Sequence, residues 1–417
     1  MTPDHQQQAT LILQRINELA SISETPGVIT RTYGTEAFVK GRALVTQWMQ
    51  QAGLQTRIDN IGNVRGRLAS SKADAKTLVI ASHIDTVVNA GKFDGPLGVL
   101  IGLNLVEQLS KQNTRLPFNI ELVAFCDEEG CRFHTTYLGS KVLAGHFDND
   151  LLTKQDSAGT TLYDVIQSLG GDSTLLQQDA IPARDWLGYF EVHIEQGPVL
   201  YEKNIPVGIV TAIAGQKRIA ITFKGEAGHA GTVPMHMRND ALCAASEFIL
   251  EVERFAASHI RQVVATVGTL NITHAASNVI PGEVNCTLDL RSDDQIVLSS
   301  CYTYLEQLGT AICERRNISF VWKPVQETNP VKTDANINRI LAQSVQQSGY
   351  EVITLVSGAG HDAVAVAPVS PVVMLFVRCF KGISHNPREN VEMKDIAAAV
   401  EVSANFIQKL IQKYNAG

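Results

Sequence analysis

Three adjacent acids, Asp127, Glu128 and Glu129, follow an apolar segment in the stretch FCDEEGCRF. Like charges this close together should not all ionise unless a positive charge compensates them. We therefore expect a compensating positive charge nearby. We also expect that these acids, at the end of a buried strand, serve a function.

Further polar side chains follow other short apolar runs, or lie in a glycine-flanked loop, GKFDGPLG. These residues are His83, Asp85, Asp94, His193, Glu195 and His385. In open α/β sheets the carboxyl ends of the strands line the ligand crevice. We therefore expect these imidazoles and carboxylates to converge at one edge of a sheet.

Imidazole and carboxylate ligands together suit zinc, manganese and related divalent ions. Two such cations would compensate several adjacent carboxylates. A carboxylate that bridges two ions roughly 3.5–4 Å apart is the usual arrangement for metal-assisted hydrolysis. One member of the pair Glu128 and Glu129 could then bind a metal ion while the other moves a proton.

The elements that would position these residues alternate between strands and helices. TLVIASHIDTV, FNIELVAFCDEEG and GYFEVHIEQG read as strands, and GVLIGLNLVEQLSKQ has the apolar spacing of a helix. The β-branched, continuously apolar strands are typical of a buried parallel sheet. This alternation predicts an α/β layered domain.

The pattern changes near residue 212. RIAITFKGEAGH, VVATVGTLNI and VNCTLDLRS alternate in the two-residue period of half-exposed strands, with helical stretches between them. After residue 329 the α/β pattern resumes. The sequence thus predicts a domain formed by 1–211 and 330–417, with an α+β domain inserted at 212–329.

Composition excludes several classes of protein. Of 417 residues, 45% are hydrophobic and 18% charged, which is typical of a globular protein rather than a disordered one. The net charge of −7 argues against a nucleic-acid partner. No segment has the roughly 18 apolar residues that a membrane span needs. Seven scattered cysteines, an odd number without a CxxC pair, predict reduced thiols and a cytoplasmic location.

Several motifs together resemble the peptidase M20 family. They are SHIDTVVNAGKFDGPLG, DEEGCRFHTTYLGS, EVHIEQGPVL, GHAGTVPM, SNVIPG and GISHNP, which run in order along nearly the whole chain. The resemblance is closest to the branch of allantoate amidohydrolases and N-carbamoyl-L-amino-acid hydrolases. It implies a dinuclear-metal, exopeptidase-like α/β catalytic domain with an inserted α+β domain for the lid and for dimerisation.

The resemblance also assigns roles at the strand ends. It implies five ligands for two divalent metal ions per subunit, which are His83, Asp94, Glu129, His193 and His385. Asp94 would bridge the ions, Asp85 would orient a ligand histidine, and Glu128 would be the general base. Zinc, manganese, cobalt and nickel remain open. Asp127 is expected to be a hydrogen-bonded neighbour. For Glu195 and Gln196, structural support and substrate contact remain equally open.

The predicted inserted domain carries a second set of matches. His229 resembles the histidine that reaches the active site of the partner subunit in a homodimer, where it would polarise the scissile carbonyl group. The matches to substrate-binding positions are Gln216, Asn278, Arg291, Gly358 and Ala359, of which the last two lie in VSGAGHDA, outside the inserted domain. Arg291 stands out because a guanidinium can bind a carboxylate through two parallel hydrogen bonds.

The resemblance implies hydrolysis of a small ureido acid. Allantoate is the leading substrate, and cleavage would release ammonia and carbon dioxide and give ureidoglycine. An N-carbamoyl-L-amino acid and ureidoglycolate remain alternatives. A catalytically silent metal-binding scaffold is a more remote one, because a silent relative would not need Glu128 beside a full ligand set.

Overall fold

A computed structural model describes residues 3–259 and 263–415. The chain forms two compact units, one of Met1–Thr211 with Thr333–Gly417 and the other of Ala212–Lys332. The inserted domain predicted from the sequence ends at residue 329, three residues before the second unit ends. Residues 1–2, 260–262 and 416–417 of the predicted domains lie outside the described residues.

The first unit begins with a layered set of helices and strands. Its helices up to residue 211 are α1 (Pro3–Ala20), α2 (Glu36–Gln51), α3 (Pro96–Lys111), α4 (Leu138–Leu143), α5 (Leu162–Ser168) and α6 (Val199–Lys203). Its strands are β1 (Gln55–Ile58), β2 (Val64–Leu68), β3 (Thr77–His83), β4 (Asn119–Phe125), β5 (Trp186–Ile194) and β6 (Val207–Ile213), the last of which runs into the second unit.

The second unit is built on an antiparallel sheet. The strands of this unit are β7 (Gly215–Lys224), β8 (Gly228–His229), β9 (Val264–Ile272), β10 (Val279–Ile280), β11 (Glu283–Ser292), β12 (Ser319–Thr328) and β13 (Val331–Lys332). Its helices are α7 (Ala241–Ser258) and α8 (Gln295–Arg315). The sheet order is β12-β7-β11-β9, and every neighbouring pair is antiparallel, as the two-residue alternation predicts.

The chain then returns to the first unit. This part contains α9 (Ala335–Gln347), β14 (Thr354–Ser357), α10 (Ala363–Val366), β15 (Val372–Val377) and α11 (Met393–Asn415). The part of the large sheet that lies in the first unit has the order β1-β2-β4-β3-β5-β15-β6, and β14 also pairs with β6. Its centre, β4-β3-β5-β15, is parallel, so these strands end at the same edge.

The parallel strands are continuously apolar because both of their faces are covered. Every residue of β3, β4 and β15 is buried, and α3 packs against β3, β4 and β5. Burial of this much apolar surface, at about 25 cal/mol per Å², is the main force that holds the sheet and helices together. The sheet therefore provides a rigid base for the loops at its carboxyl edge.

The start of α3 is shaped by its neighbour His83. Gly95, just before the helix, has φ of +84°, and a Cβ atom there would lie 2.5 Å from Cε1 of His83. Only glycine combines this backbone conformation with so close an approach. This is why the loop that carries Asp94 can pass directly beside His83.

The second unit has its own apolar core. Residues of β7, β11, α7 and α8 form it, with Phe223 and Phe248 fully buried. Across residues 3–259 and 263–415, no helix combines the length and the apolar character needed to cross a bilayer.

Candidate metal centre

The parallel strands deliver polar side chains to their shared carboxyl edge. His83 is the last residue of β3, His193 is the last but one of β5, and Glu128 follows β4 by three residues. The apolar strand interiors hold these ends in place. All three side chains are buried, so their position is fixed by packing.

Asp94 lies at the centre of the group. Its Oδ1 atom is 3.1 Å from Nε2 of His193 and 3.8 Å from Nε2 of His83. Its Oδ2 atom is 3.2 Å from Nε2 of His385, whose same nitrogen lies 3.4 Å from Oε1 of Glu129. The two oxygens of one carboxylate therefore face two different sets of nitrogen and oxygen ligands.

Among the described residues, four groups are compact enough to hold a cation. Within each group, one potential ligand atom of every residue lies within 4.8 Å of the others. The groups are His83, Asp94 and His193; Asp94, Glu129 and His385; His83, Glu128 and Glu129; and Glu191, His193 and His361. Because Asp94 belongs to the first two groups and the donors are imidazole and carboxylate, the residues fit a pair of divalent ions.

The raised pKa values of the acids are also consistent with bound cations. Burial raises the pKa of Glu128 well above its usual range, and the nearby Glu129 adds to the effect. Burial, together with the charge of Asp94, raises the pKa of Glu129 to about 7. These carboxyl groups are short of positive charge, and cations at this edge would favour their ionised forms.

The histidines supply only part of that charge. Burial alone would lower the pKa of His193, but the hydrogen bond to Asp94 and the charges of Asp94 and Glu191 together outweigh burial and raise the pKa. A hydrogen bond to Asp94 likewise raises the pKa of His385 to about 9. The same histidines hold the pKa of Asp94 well below its usual range, although burial opposes them. Asp94 and the imidazoles beside it thus favour each other's charged forms.

Asp85 connects His83 to the acid pair. Its backbone carbonyl oxygen lies 3.1 Å from Nδ1 of His83, while its Oδ1 atom is 3.6 Å from that nitrogen. Its carboxylate accepts the amide N–H groups of Glu128 and Glu129, at 3.1 and 3.2 Å. The side chain thus fixes the backbone of the acids, and the backbone of Asp85 is the closer partner of the imidazole.

For Asp127 the expectation of a hydrogen-bonded neighbour is wrong at one oxygen. Its Oδ2 atom is buried and has no hydrogen-bond partner among the described residues. Burial raises the pKa of this carboxyl group well above its usual range, which favours its protonated form. Asp127 also has φ of +50°, which turns the chain sharply before Glu128.

The two open residues of the HIEQG motif have different positions. Glu195 accepts the amide N–H groups of Val199 and Leu200, both at 2.8 Å, and so caps α6. Gln196 instead donates from Nε2 to Oδ2 of Asp94, at 2.8 Å. Glu195 is thus a structural support, whereas Gln196 contacts the centre itself.

The glycine-rich loop after β14 lies beside the centre. It contains Gly358 and Ala359, and it leads to His361, whose ring centroid is 4.5 Å from that of His193. Nε2 of His361 is 2.8 Å from Oγ of Ser357, which also donates to the carbonyl oxygen of Ala359. Of the predicted substrate-binding residues, Gly358 and Ala359 belong to the same unit as the metal centre.

In the second unit the structure brings Gln216 and Arg291 together. They are cross-strand partners on β7 and β11. Both donate to Asp289, with Nε2 of Gln216 at 2.5 Å from Oδ2 and Nε of Arg291 at 2.8 Å from Oδ1. The carboxylate of Asp289 therefore holds both side chains on one face of the sheet.

His229 and Asn278 lie on neighbouring segments of this unit. His229 pairs with Val279 between β8 and β10, and the carbonyl oxygen of Asn278 accepts the N–H of Ala230 at 2.9 Å. Nδ1 of His229 accepts the N–H of Gly231 at 3.0 Å. In the neutral ring this places the proton on Nε2, so the exposed His229 can act as a hydrogen-bond donor.

Two residues close to Asp94 are missed by the sequence analysis. Ser384 donates to Oδ2 of Asp94 at 2.5 Å, and Glu389 accepts the amide N–H of Asp94 at 3.1 Å. The sequence signal that could have found them is their place in SHNPRE, beside His385. Single polar residues in a loop, however, do not reveal which distant segment they contact.

Comparison with known proteins identifies relatives of the whole chain. The profile of the peptidase family M20/M25/M40 matches residues 79–409. A "Probable allantoate deiminase" from Oryza sativa subsp. japonica is 38% identical, over 95% of this chain and 87% of that protein. An "N-carbamoyl-L-amino acid amidohydrolase" from Geobacillus stearothermophilus is 36% identical, over 97% of this chain and 99% of that protein.

The fold is shared with a solved structure. It is an amidase of the hydantoinase/carbamoylase family from Burkholderia multivorans, with a TM-score of 0.90 and 33% identity. The match covers 97% of this chain and 98% of that one. The similarity thus extends over both units of the chain.

Proposed function

The chain belongs to the peptidase family M20/M25/M40, and from this premise we propose that it is a metal-dependent amidohydrolase whose substrate is allantoate. Its relatives show that it is a hydrolase acting on C–N bonds. The observation that carries the proposal is the position of Asp94, whose two oxygens face two groups of ligand-type side chains.

In this proposal two divalent ions occupy the groups that share Asp94. His83, Asp94 and His193 would hold one ion, and Asp94, Glu129 and His385 the other. When bound, such ions make a water molecule more acidic and withdraw electrons from a substrate carbonyl group. The ions are zinc or manganese, with cobalt and nickel as alternatives, because this ligand set admits each of them.

Glu128 is the general base of the proposed reaction. Its carboxylate takes a proton from the attacking water, and the oxygen of that water forms a bond to the ureido carbon. The same carboxyl group then returns the proton to the leaving nitrogen, and ammonia departs as the C–N bond breaks. The carbamate that remains loses carbon dioxide and leaves an amine, which is ureidoglycine when the substrate is allantoate.

Residues of the second unit are proposed to recognise the substrate. Arg291 would bind the substrate carboxylate, with help from Gln216 and Asn278, and the Nε2–H of His229 would donate to the carbonyl oxygen. We further propose a cytoplasmic homodimer, in which His229 serves the site of the partner subunit. Gly358 and Ala359 would contribute backbone groups from the first unit.

A second candidate is hydrolysis of an N-carbamoyl-L-amino acid. The relative from Geobacillus stearothermophilus favours it. That protein is 36% identical to this chain, which is close to the 38% identity between this chain and the plant protein. Both substrates present a ureido group and a carboxylate, so the same residues could serve either. Ureidoglycolate shares these groups and is a third possibility.

An ammonia-release assay separates these substrates. The metal-reconstituted protein would be incubated in parallel with allantoate, ureidoglycolate and several N-carbamoyl-L-amino acids. We expect the highest kcat/KM for allantoate. Release from the carbamoyl amino acids alone would replace the substrate and keep the mechanism, whereas release from none of them would contradict the proposed function.

A further inference from the structure

The backbone at Asp94 is held by a residue from the far end of the chain. Oε1 of Glu389 accepts the N–H of Phe93 at 2.7 Å and the N–H of Asp94 at 3.1 Å. Glu389 is only 4% exposed. A Cβ atom on Gly91 would lie 2.1 Å from its Cδ, so the loop fits closely around the carboxylate.

The side chain of Asp94 is fixed by the same segment. Its Oδ2 atom accepts the hydroxyl proton of Ser384 at 2.5 Å and Nε2–H of Gln196 at 2.8 Å. Oγ of Ser384 also lies 3.3 Å from Oε2 of Glu389. The Ser384 hydroxyl has a single proton, so it can turn to Glu389 when Asp94 Oδ2 is otherwise engaged.

We propose that Glu389 is a positioning residue that holds Asp94 so that both of its oxygens can serve the two cation sites at once. The inference rests on the proposed function, because it takes the two cation sites as given. Partners that orient a metal ligand commonly change metal affinity about 10–100-fold when they are removed.

Because Asp94 belongs to both groups, the loss of Glu389 has an expected effect on metal binding that differs from the loss of a single histidine. His193 belongs to one of the two groups around Asp94, and His385 to the other. A shift of either histidine would weaken one site, whereas a shift of the Phe93–Asp94 segment moves a ligand of both. Loss of Glu389 should therefore weaken both ions together.

The test is a titration of chelator-treated protein with Mn²⁺, followed by calorimetry and by the EPR signal of neighbouring Mn²⁺ ions. We expect Glu389→Ala to weaken the binding of both ions about 10–100-fold and to reduce the signal of the ion pair. The matched control is Glu195→Ala. Glu195 is also a buried carboxylate that accepts two backbone N–H groups, but those groups belong to α6.

A conservative variant separates positioning from general packing. Glu389→Gln keeps an oxygen that can accept both N–H groups. We therefore expect its Mn²⁺ affinity to stay within about threefold of the parent, a much smaller change than the loss of an orienting partner causes. Glu389→Asp shortens the side chain by one methylene group and so moves the acceptor oxygen away from the two N–H groups. It should lower the affinity for both Mn²⁺ ions. This variant preserves the test if Glu389→Ala does not fold.

Two results would overturn the inference. One is unchanged Mn²⁺ binding in Glu389→Ala and Glu389→Asp, and the other is an equal loss in the control Glu195→Ala. If the parent protein itself fails to bind two Mn²⁺ ions, the proposed metal centre is wrong, which is a different failure from that of Glu389.

Discussion

Glu128→Gln is expected to lower kcat about 10²–10⁴-fold while the protein keeps its bound metal. The amide has nearly the shape of the carboxyl group but cannot accept the proton of the attacking water. Burial and the neighbouring Glu129 place Glu128 where its protonation responds to nearby charge, as a general base requires. Ammonia release and metal analysis of the same samples provide the measurement.

Asp127→Asn is the matched control for this variant. Asp127 is the adjacent buried acid, and burial raises the pKa of its carboxyl group, which favours the uncharged form that an amide resembles. We expect activity close to that of the parent. An equal loss of metal and activity in Glu128→Gln would make Glu128 a ligand, a role that its proximity to His83 and Glu129 also permits.

His229→Ala is expected to lower kcat about 10²–10³-fold, because in the proposed reaction it would remove the donor to the developing negative charge on the carbonyl oxygen. The Gly231 N–H donates to Nδ1 of the ring, so in the neutral ring the proton is on Nε2. His236→Ala is the control, since His236 is an exposed histidine in the same unit. It should retain full activity.

Mixing two inactive variants tests whether His229 acts across subunits. A heterodimer of His229→Ala and Glu128→Gln chains contains one site with both residues intact. Random pairing makes half of the dimers mixed, so about a quarter of the parent activity should return. No recovery, with dimers present by size measurement, would place His229 in the site of its own chain.

The sequence predicts the main layers of the fold because long apolar patterns identify buried elements. The strands β3, β4, β5 and β15 and the helix α3 follow from continuous apolar runs or helical spacing. The short strands β1 and β2 were not predicted. β1 has only four residues and is mostly exposed, so its side chains show no pattern that distinguishes it from a loop.

The sequence likewise predicted some residues of the candidate site and missed others. His83 and His193 could be placed from the sequence because the ends of parallel strands must share an edge. Asp94 lies in a loop, and its proposed bridging role came from the resemblance to a family. Glu389 could not be predicted, since its hydrogen bond joins residues 295 positions apart.

The three adjacent acids Asp127, Glu128 and Glu129 have distinct environments. Glu129 belongs to a group with Asp94 and His385, Glu128 lies beside His83, and Asp127 is buried, which raises its pKa. Three adjacent carboxyl groups are therefore compatible with one buried loop because each meets a different set of neighbours. The prediction of a hydrogen-bonding role for Asp127 does not hold for its Oδ2 atom, which is buried and has no hydrogen-bond partner among the described residues.

The most direct test of the account is a metal titration of chelator-treated protein during ammonia release from allantoate. Mn²⁺ would be added stepwise, with bound metal measured at each step. We predict that activity is absent without metal, rises with bound Mn²⁺ and levels off at two ions per chain. Full activity in protein without bound metal would contradict the account.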